Sequence, residues 1–183
     1  MRKNFGQKTW IYPMPVLIIA TYNEDGTPNA MNAAWGGTYD YNKITISLGE
    51  HKTTENLVRT KSFTVGFADI KNVAEADYVG LVSGSKISDK VAKCGWTVTK
   101  SPNVDAPIID QLPMTLECQV DSFENGTLVG SIINISVDEK YLGEDGLPDV
   151  KKLGIITYDP IHHYYVALGD IVGKAFQEGN KIK

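Results

Sequence analysis

Four short segments carry residue types whose spacing can do chemistry. His51-Lys52-Thr53-Thr54-Glu55-Asn56-Leu57 follows a strand-like stretch and opens a helical one. The first N–H groups of a helix lack partners and its dipole is positive there, so a phosphate fits, with two threonine hydroxyls and a lysine at hand. Asn29-Ala30-Met31-Asn32-Ala33-Ala34-Trp35-Gly36-Gly37 is small and polar where strands favour β-branched and aromatic residues. Small side chains let a flat ligand approach the backbone. Ser83-Gly84-Ser85-Lys86-Ile87-Ser88-Asp89-Lys90 supplies a loop, a cap and, in Lys90, a cation able to stabilise negative charge on a bound ring. His162-His163-Tyr164-Tyr165 presents aromatic faces that can cover a ring system. Read alone, each segment has a plainer counterpart. These are a threonine-capped helix, a weakly packed edge strand, a solvated lysine, and tyrosines used for core or interface packing.

Other chemistries find little material. No Gly-x-Gly-x-x-Gly opens a helix after a strand, and there is no phosphate-binding P-loop and no Gly-x-Ser-x-Gly elbow. The three histidines, His51, His162 and His163, lack the i, i+4 spacing of a helical zinc site, and no ligand cluster completes one, so no metal is expected. Cys118 lies in a strand pattern and Cys94 at a helix end, and neither is a supported nucleophile. No catalytic side chain is assigned. Two cysteines are too few for a disulfide framework, which points to a reducing cytoplasm. The formal net charge of −4, without a basic run, argues against nucleic acid as a partner. The longest apolar run, Val16 to Ala20, is too short to span a bilayer, and Met1 to Gly6 has no apolar signal region.

The elements that position these segments are mostly strands. Pro15 to Thr21 is apolar and β-branched, and Asp25-Gly26 beyond it signals a hairpin with a return strand from about Asn29 to Gly37. Lys43 to Leu48 and Ser62 to Ala68 alternate with period two. Thr115 to Phe123 and Thr127 to Val137 read as long strands joined at Asn125-Gly126, and Tyr164 to Leu168 as a last short one. Three helices are expected. Thr53 or Thr54 caps one running to about Thr60, Asp69 caps one over Lys71 to Val82, and Ser88 or Asp89 caps a short one ending at Gly95. With 183 residues and no linker or repeat, the chain reads as a single domain over 1–183, mainly β with helical insertions.

Taken together and in this order, the segments resemble the flavin reductase-like, FMN-binding split β-barrel family, and within it the flavoredoxin branch. The resemblance runs through Tyr12-Pro13-Met14-Pro15-Val16, Asn29 to Trp35, His51 to Asn56, Phe63-Thr64-Val65-Gly66, Ser83-Gly84 with Asp89-Lys90, and Leu116-Glu117-Cys118. It closes with Tyr158-Asp159-Pro160 and Tyr164 to Gly169, so most of the chain is included. It implies a split β-barrel holding one FMN per subunit of a homodimer, with the flavin near the interface. Asn29, Asn32, Ala33, Ala34 and Trp35 would run along the flavin. Thr53, Thr54 and Asn56 would lie at the phosphate and ribityl end with Lys52 nearby. Lys90, with Ser83 in its loop, would sit near the ring, and Tyr164 at its outer face. Many relatives carry a histidine just before the segment matching Val129-Gly130-Ser131-Ile132; here those positions read Gly126, Thr127 and Leu128. The activity implied is an oxidoreductase of the NAD(P)H:flavin type, passing electrons from NAD(P)H through FMN to an acceptor. The alternatives are a flavoredoxin-like carrier with tightly bound FMN serving a redox protein partner, and a non-catalytic flavin- or haem-binding protein.

Overall fold

The apolar run at Val16 to Ala20 is uninterrupted because its strand is buried on both faces. The computed structural model describes residues 1 to 182. In chain order these form β1 (Met14–Pro15), β2 (Leu17–Tyr22), β3 (Pro28–Ala33), β4 (Gly36–Asp40), β5 (Lys43–Ser47), α1 (Lys52–Thr60), β6 (Ser62–Phe67), α2 (Val73–Leu81) and α3 (Lys90–Lys93). Then come β7 (Val98–Lys100), β8 (Pro107–Ile109), β9 (Met114–Glu124), β10 (Thr127–Val137), α4 (Val150–Leu153), β11 (Ile156–Asp159) and β12 (Tyr164–Ala167). Leu17 and Ile19 point from β2 into one core with Ile46, Phe63, Leu116 and Leu128, while Ile18 and Ala20 point into a second with Val79, Val91, Trp96 and Ile156. Alternation with period two thus feeds two cores from one strand.

Seven antiparallel strands form the main sheet in the order β3-β2-β6-β9-β10-β5-β4. Its two edge strands, β3 and β4, are consecutive in the chain, with only Ala34 and Trp35 between them. Seven flat strands would hold their edges ~29 Å apart at the usual inter-strand spacing. Three Cα steps reach only roughly 11 Å. The sheet must therefore curl until its edges meet, giving a barrel closed by chain rather than by a hydrogen-bond ladder along this seam. Leu57 of α1 enters the barrel core fully buried, fixing the helix at one side of the seam. A second sheet, β1-β11-β12, lies beside β4, and β7-β8 forms a separate ribbon.

The turn chemistry matches the expected hairpins. Gly26 has φ 81° in the β2–β3 turn, and Asn125 and Gly126 have φ 49° and 75°, the left-handed pair that an Asn-Gly turn requires. Three expectations change. The return strand expected over Asn29 to Gly37 is two strands, because β3 pairs with β2 and β4 with β5 on opposite edges. The cap of α1 is His51, not Thr53 or Thr54. The second helix begins at Val73, because the Asp69 carboxylate accepts from the N–H groups of Lys71 and Asn72 in a turn ahead of it. Strands β1, β7, β8 and β11 and helix α4 carry too few residues for periodicity to reveal.

Candidate functional site

Two cavities open along β3 and the seam. The first, about 340 Å³, is lined by Met31, Asn32, Ala33, Ala34 and Trp35 on one side, by Ser47 at the end of β5 with Leu48 and Gly49 after it, and by Tyr158 and Tyr165. The second, about 390 Å³, is lined by Lys52 and Thr53 of α1, by Val79 to Gly84, and by Lys90. Met31, Asn32 and His51 belong to both, so the two form one groove with an aromatic end and a cationic end. Each end has the size of a ligand pocket.

At the cationic end, α1 starts from His51. The Thr54 hydroxyl accepts from the His51 N–H (2.9 Å) and donates to the His51 carbonyl (2.7 Å), which folds the entry into the helix tightly. The N–H groups of Lys52 and Thr53 are left without intrahelical partners. Lys52 Nζ pairs with Glu55 Oε2 at 2.9 Å on the helix surface. The Thr53 hydroxyl, on the cavity wall, accepts from Asn29 Nδ2 at 2.8 Å. Two expected phosphate-end residues lie elsewhere. Thr54 is buried with its hydroxyl spent on the cap, and lines neither cavity. Asn56 is a further turn along and faces β2, where its amide donates to Thr21 Oγ1 (3.1 Å) and Asn23 Oδ1 (2.9 Å).

Lys90 is neither solvated nor paired with a carboxylate. Its ammonium donates to the carbonyls of Val79 and Val82, both at 3.0 Å, at the C-terminal end of α2. Free carbonyls and the negative end of the dipole favour a cation there. Burial pushes its pKa down to about 8. Lys52 and Lys90, expected at opposite ends of a ligand, line the same cavity together with Ser83. Burial separates them: Lys90 is 2% exposed, while the Lys52 side chain is 29% exposed.

The small residues of β3 are explained by what rests on them. Asn32 Nδ2 donates to the Ala76 carbonyl of α2 at 2.9 Å. A Cβ added at Gly80 would lie 2.1 Å from Asn32 Oδ1, and one at Gly84 2.2 Å from Asn29 Oδ1. Two glycines therefore let the backbone of α2 and its following loop close down on the strand. Asn29 lines neither cavity, yet its Oδ1 is a buried acceptor with no partner. Its amide nitrogen is spent on Thr53, so Asn29 meets the groove only through that hydroxyl.

At the aromatic end, Trp35 is half exposed and its carbonyl accepts from Ser47 N at 2.8 Å, which joins the seam to β5. Tyr164, expected to cover a ring, points outward, 64% exposed and stacked on His162, and lines neither cavity. Period-two alternation puts its neighbour Tyr165 on the cavity instead. Burial, with a 2.7 Å hydrogen bond to Asp77 Oδ1, raises the Tyr165 phenol's pKa and keeps it neutral. Tyr158 and His51 also line the wall. Sequence reasoning left His51 unplaced, although its position just ahead of α1 marked it as a residue at the groove's middle. Tyr158 belongs to the resemblance but has no role assigned by it, because β11 is four residues long and is positioned by partners distant in sequence.

The donor set suits an elongated ligand with a flat ring and an anionic tail. An apolar, aromatic wall takes the ring; two ammonium groups and a helix start take the anion. Among the described residues no group of three or more His, Cys, Asp or Glu gathers as a metal site. The Cys118 thiol is pushed up to about 12 by burial and then by the Glu117 charge, so it is no nucleophile at neutral pH.

Comparison with known proteins follows this geometry. The model of the flavin reductase like domain matches residues 9–154. The chain is similar to a flavoredoxin of Desulfovibrio vulgaris (Miyazaki F), with 34% identity, a TM-score of 0.94, and 98% of this chain and 100% of that one covered. A flavoredoxin from Methanosarcina acetivorans gives 28% identity and a TM-score of 0.89, with 100% of both chains covered. An FMN-binding domain of a flavin reductases-like enzyme from Shewanella baltica gives 18% identity and a TM-score of 0.75 over 87% of this chain and 88% of that one, a likeness of fold. No curated protein matches the chain.

Proposed function

Because the chain belongs to the flavin reductase-like domain family, a mainly β, split-barrel fold, we propose that it holds FMN in the β3 groove and serves as a flavoredoxin-type electron carrier. The observation that carries this reading is the continuity of the two cavities through Asn32 and His51, which gives one chain-built groove a place for both a ring and a phosphate. Bound flavin supplies reversible uptake of electrons; the protein supplies binding, orientation and tuning. Asn32 to Trp35 lie along the ring, and Tyr158 and Tyr165 cover it. Lys52, Thr53 and the first N–H groups of α1 hold the phosphate. Asn29 acts from behind the wall, its amide donating to the Thr53 hydroxyl and so positioning it. The Lys90 ammonium, fixed on two carbonyls, holds positive charge where solvent screens it least.

The family match also favours a second reading, in which NAD(P)H reduces the flavin and the protein turns over as a reductase. Absorbance spectra of the purified protein, followed by titration with FMN and riboflavin and by anaerobic addition of NADH and NADPH, test both. The carrier reading expects retained or micromolar FMN, much weaker riboflavin, and slow oxidation of either nucleotide. Equal affinity for FMN and riboflavin removes the phosphate site. Rapid NAD(P)H oxidation with exchanging FMN moves the assignment to the reductase.

A second copy of this chain is the proposed partner, alongside a redox protein that exchanges electrons. Support comes from large apolar side chains left in solvent near both ends of the chain: Ile11, Ile171, Val172 and Phe176 are 67% to 105% exposed. No helix among the described residues is long and apolar enough to cross a membrane. The free thiols of Cys94 and Cys118 fit the reducing cytoplasm proposed as its compartment.

A further inference from the structure

A third cavity, about 470 Å³, lies between the N-terminal arm and the β11–β12 turn. Its walls are Gln7, Lys8 and Trp10 from the arm, Trp35 from the seam, and Tyr158 and His163. Trp35 and Tyr158 also line the aromatic end of the groove, so these two rings are a shared wall.

The cavity is built rather than incidental. The arm is tied down at its root: the Tyr12 hydroxyl donates to Asp159, and Met14 N donates to Thr157 Oγ1 at 3.0 Å. Phe5 backs Trp10 with ring centroids 5.2 Å apart. On the opposite wall His163 sits at φ 62°, a left-handed conformation that a histidine adopts at a cost. Its N–H donates to the Asp159 carbonyl at 2.9 Å, and its Nδ1 is hydrogen-bonded to the Tyr158 hydroxyl. The strained turn thereby holds the imidazole against the phenol on the cavity wall.

The electrostatics point to an anion. Among the described residues Lys8 is the one lysine, arginine or carboxylate on the wall, and its ammonium lies 5.9 Å above the Trp10 ring. The first thirteen residues carry Arg2, Lys3 and Lys8 and no carboxylate, in a chain of net charge −4. Asp159, the neighbouring carboxylate, is spent on Tyr12, the Ile161 N–H and His162. Flat aromatic walls with a single cation suit a flat ring bearing one negative group.

We propose that this cavity is a second binding site, for a small planar aromatic carboxylate, set against the groove across Trp35 and Tyr158. The ring stacks between Trp10 and Trp35, and the carboxylate meets Lys8 and the Gln7 amide. The proposal does not depend on what the groove holds.

Calorimetric titration of the full chain with 2-naphthoate, with and without added FMN, is the test; 2-naphthalenemethanol is the neutral control. Expected is saturable binding near one per chain, tighter for the carboxylate, whether or not FMN is taken up. Lys8→Gln brings the carboxylate down to the level of the alcohol. Trp10→Ala weakens both about fivefold, the size of one aromatic pair. Both side chains sit on the arm, outside the two cores, so circular dichroism should be unchanged. Equal binding of acid and alcohol, indifference to both substitutions, or no saturable binding because a second copy fills the cavity would each overturn the proposal.

Discussion

Lys52 and Lys90 line one cavity but differ in what holds them, and that difference separates their expected effects. Lys52 is part exposed and shared with Glu55. Lys52→Ala should weaken FMN about tenfold, the size of one charge-assisted hydrogen bond, and leave riboflavin affinity unchanged. Fluorescence titration with both flavins checks this. Lys90 is fixed and buried, so its charge acts in a lower dielectric. Lys90→Met should lower the midpoint potential of bound FMN by about 20 mV, equivalent to about 1 kcal/mol for a two-electron couple. An unmoved potential by spectroelectrochemistry would leave Lys90 as a cap for α2 and nothing more. Its pKa near 8 adds a pH signature. Below that value the ammonium is charged and attracts an anionic ligand; above it the attraction fades. FMN affinity should therefore fall as pH rises past about 8 in the wild type, and stay flat over the same range in Lys90→Met.

At the scale of elements, α1 and β9 owe their placement to buried polar side chains. Asn56 ties α1 to β2 and to the β2–β3 turn through two buried hydrogen bonds. Asn56→Ala leaves Thr21 and Asn23 short of a donor and should cost about 1–3 kcal/mol in denaturant unfolding. Because Asn56 does not line the groove, FMN affinity at low denaturant should hardly change. Glu117 on β9 is fully buried and hydrogen-bonded by Ser101, Asn103 (3.0 Å) and Asn134 (2.6 Å). Burial alone would raise its pKa, but the hydrogen bonds from Ser101, Asn134 and Asn103 outweigh it and hold the carboxyl below its ordinary value. The unfolded chain then binds the proton first as pH falls. The stability this carboxylate contributes is whole above the ordinary glutamate pKa and is lost as pH drops toward the folded value. Glu117→Gln should flatten the acid limb of a stability-against-pH curve; an unchanged limb would mean other carboxylates set it.

At the scale of the whole molecule, large apolar side chains stand in solvent near both ends of the described residues, which is what the proposed homodimer would cover. Val172 and Phe176 are fully exposed, and Tyr164, Val166 and Leu168 line the outer face and end of the second sheet. Light scattering at micromolar concentration should give about twice the chain mass. Paired substitution of Val172 and Phe176 by Asp should shift the protein toward monomer, since charges are disfavoured in an interface core. A wild-type monomer that still binds FMN would show that the groove is complete within one subunit.

The sequence by itself determined whatever depends on neighbours close along the chain. The Asp25-Gly26 and Asn125-Gly126 turns, the alternating strands β5, β6, β9 and β10, and the presence of a helix ending near Thr60, though not its cap at His51, follow from local sterics and period. The family resemblance, and with it Asn32 to Trp35, Lys52, Thr53, Ser83 and Lys90 as candidates, was likewise open to reading, and these candidates line the groove. Tertiary structure decided what depends on partners far along the chain. Sheet closure through Ala34 and Trp35 split the expected return strand, because β4 pairs with β5 and not with β2. Strand register turned Tyr165 inward and Tyr164 outward, a choice that one residue of slip would reverse. Packing of α1 on β2 drew Asn56 away from the groove, and the unpaired carbonyls ending α2 drew Lys90 into it, because a buried polar group goes to whichever partner the fold brings within reach.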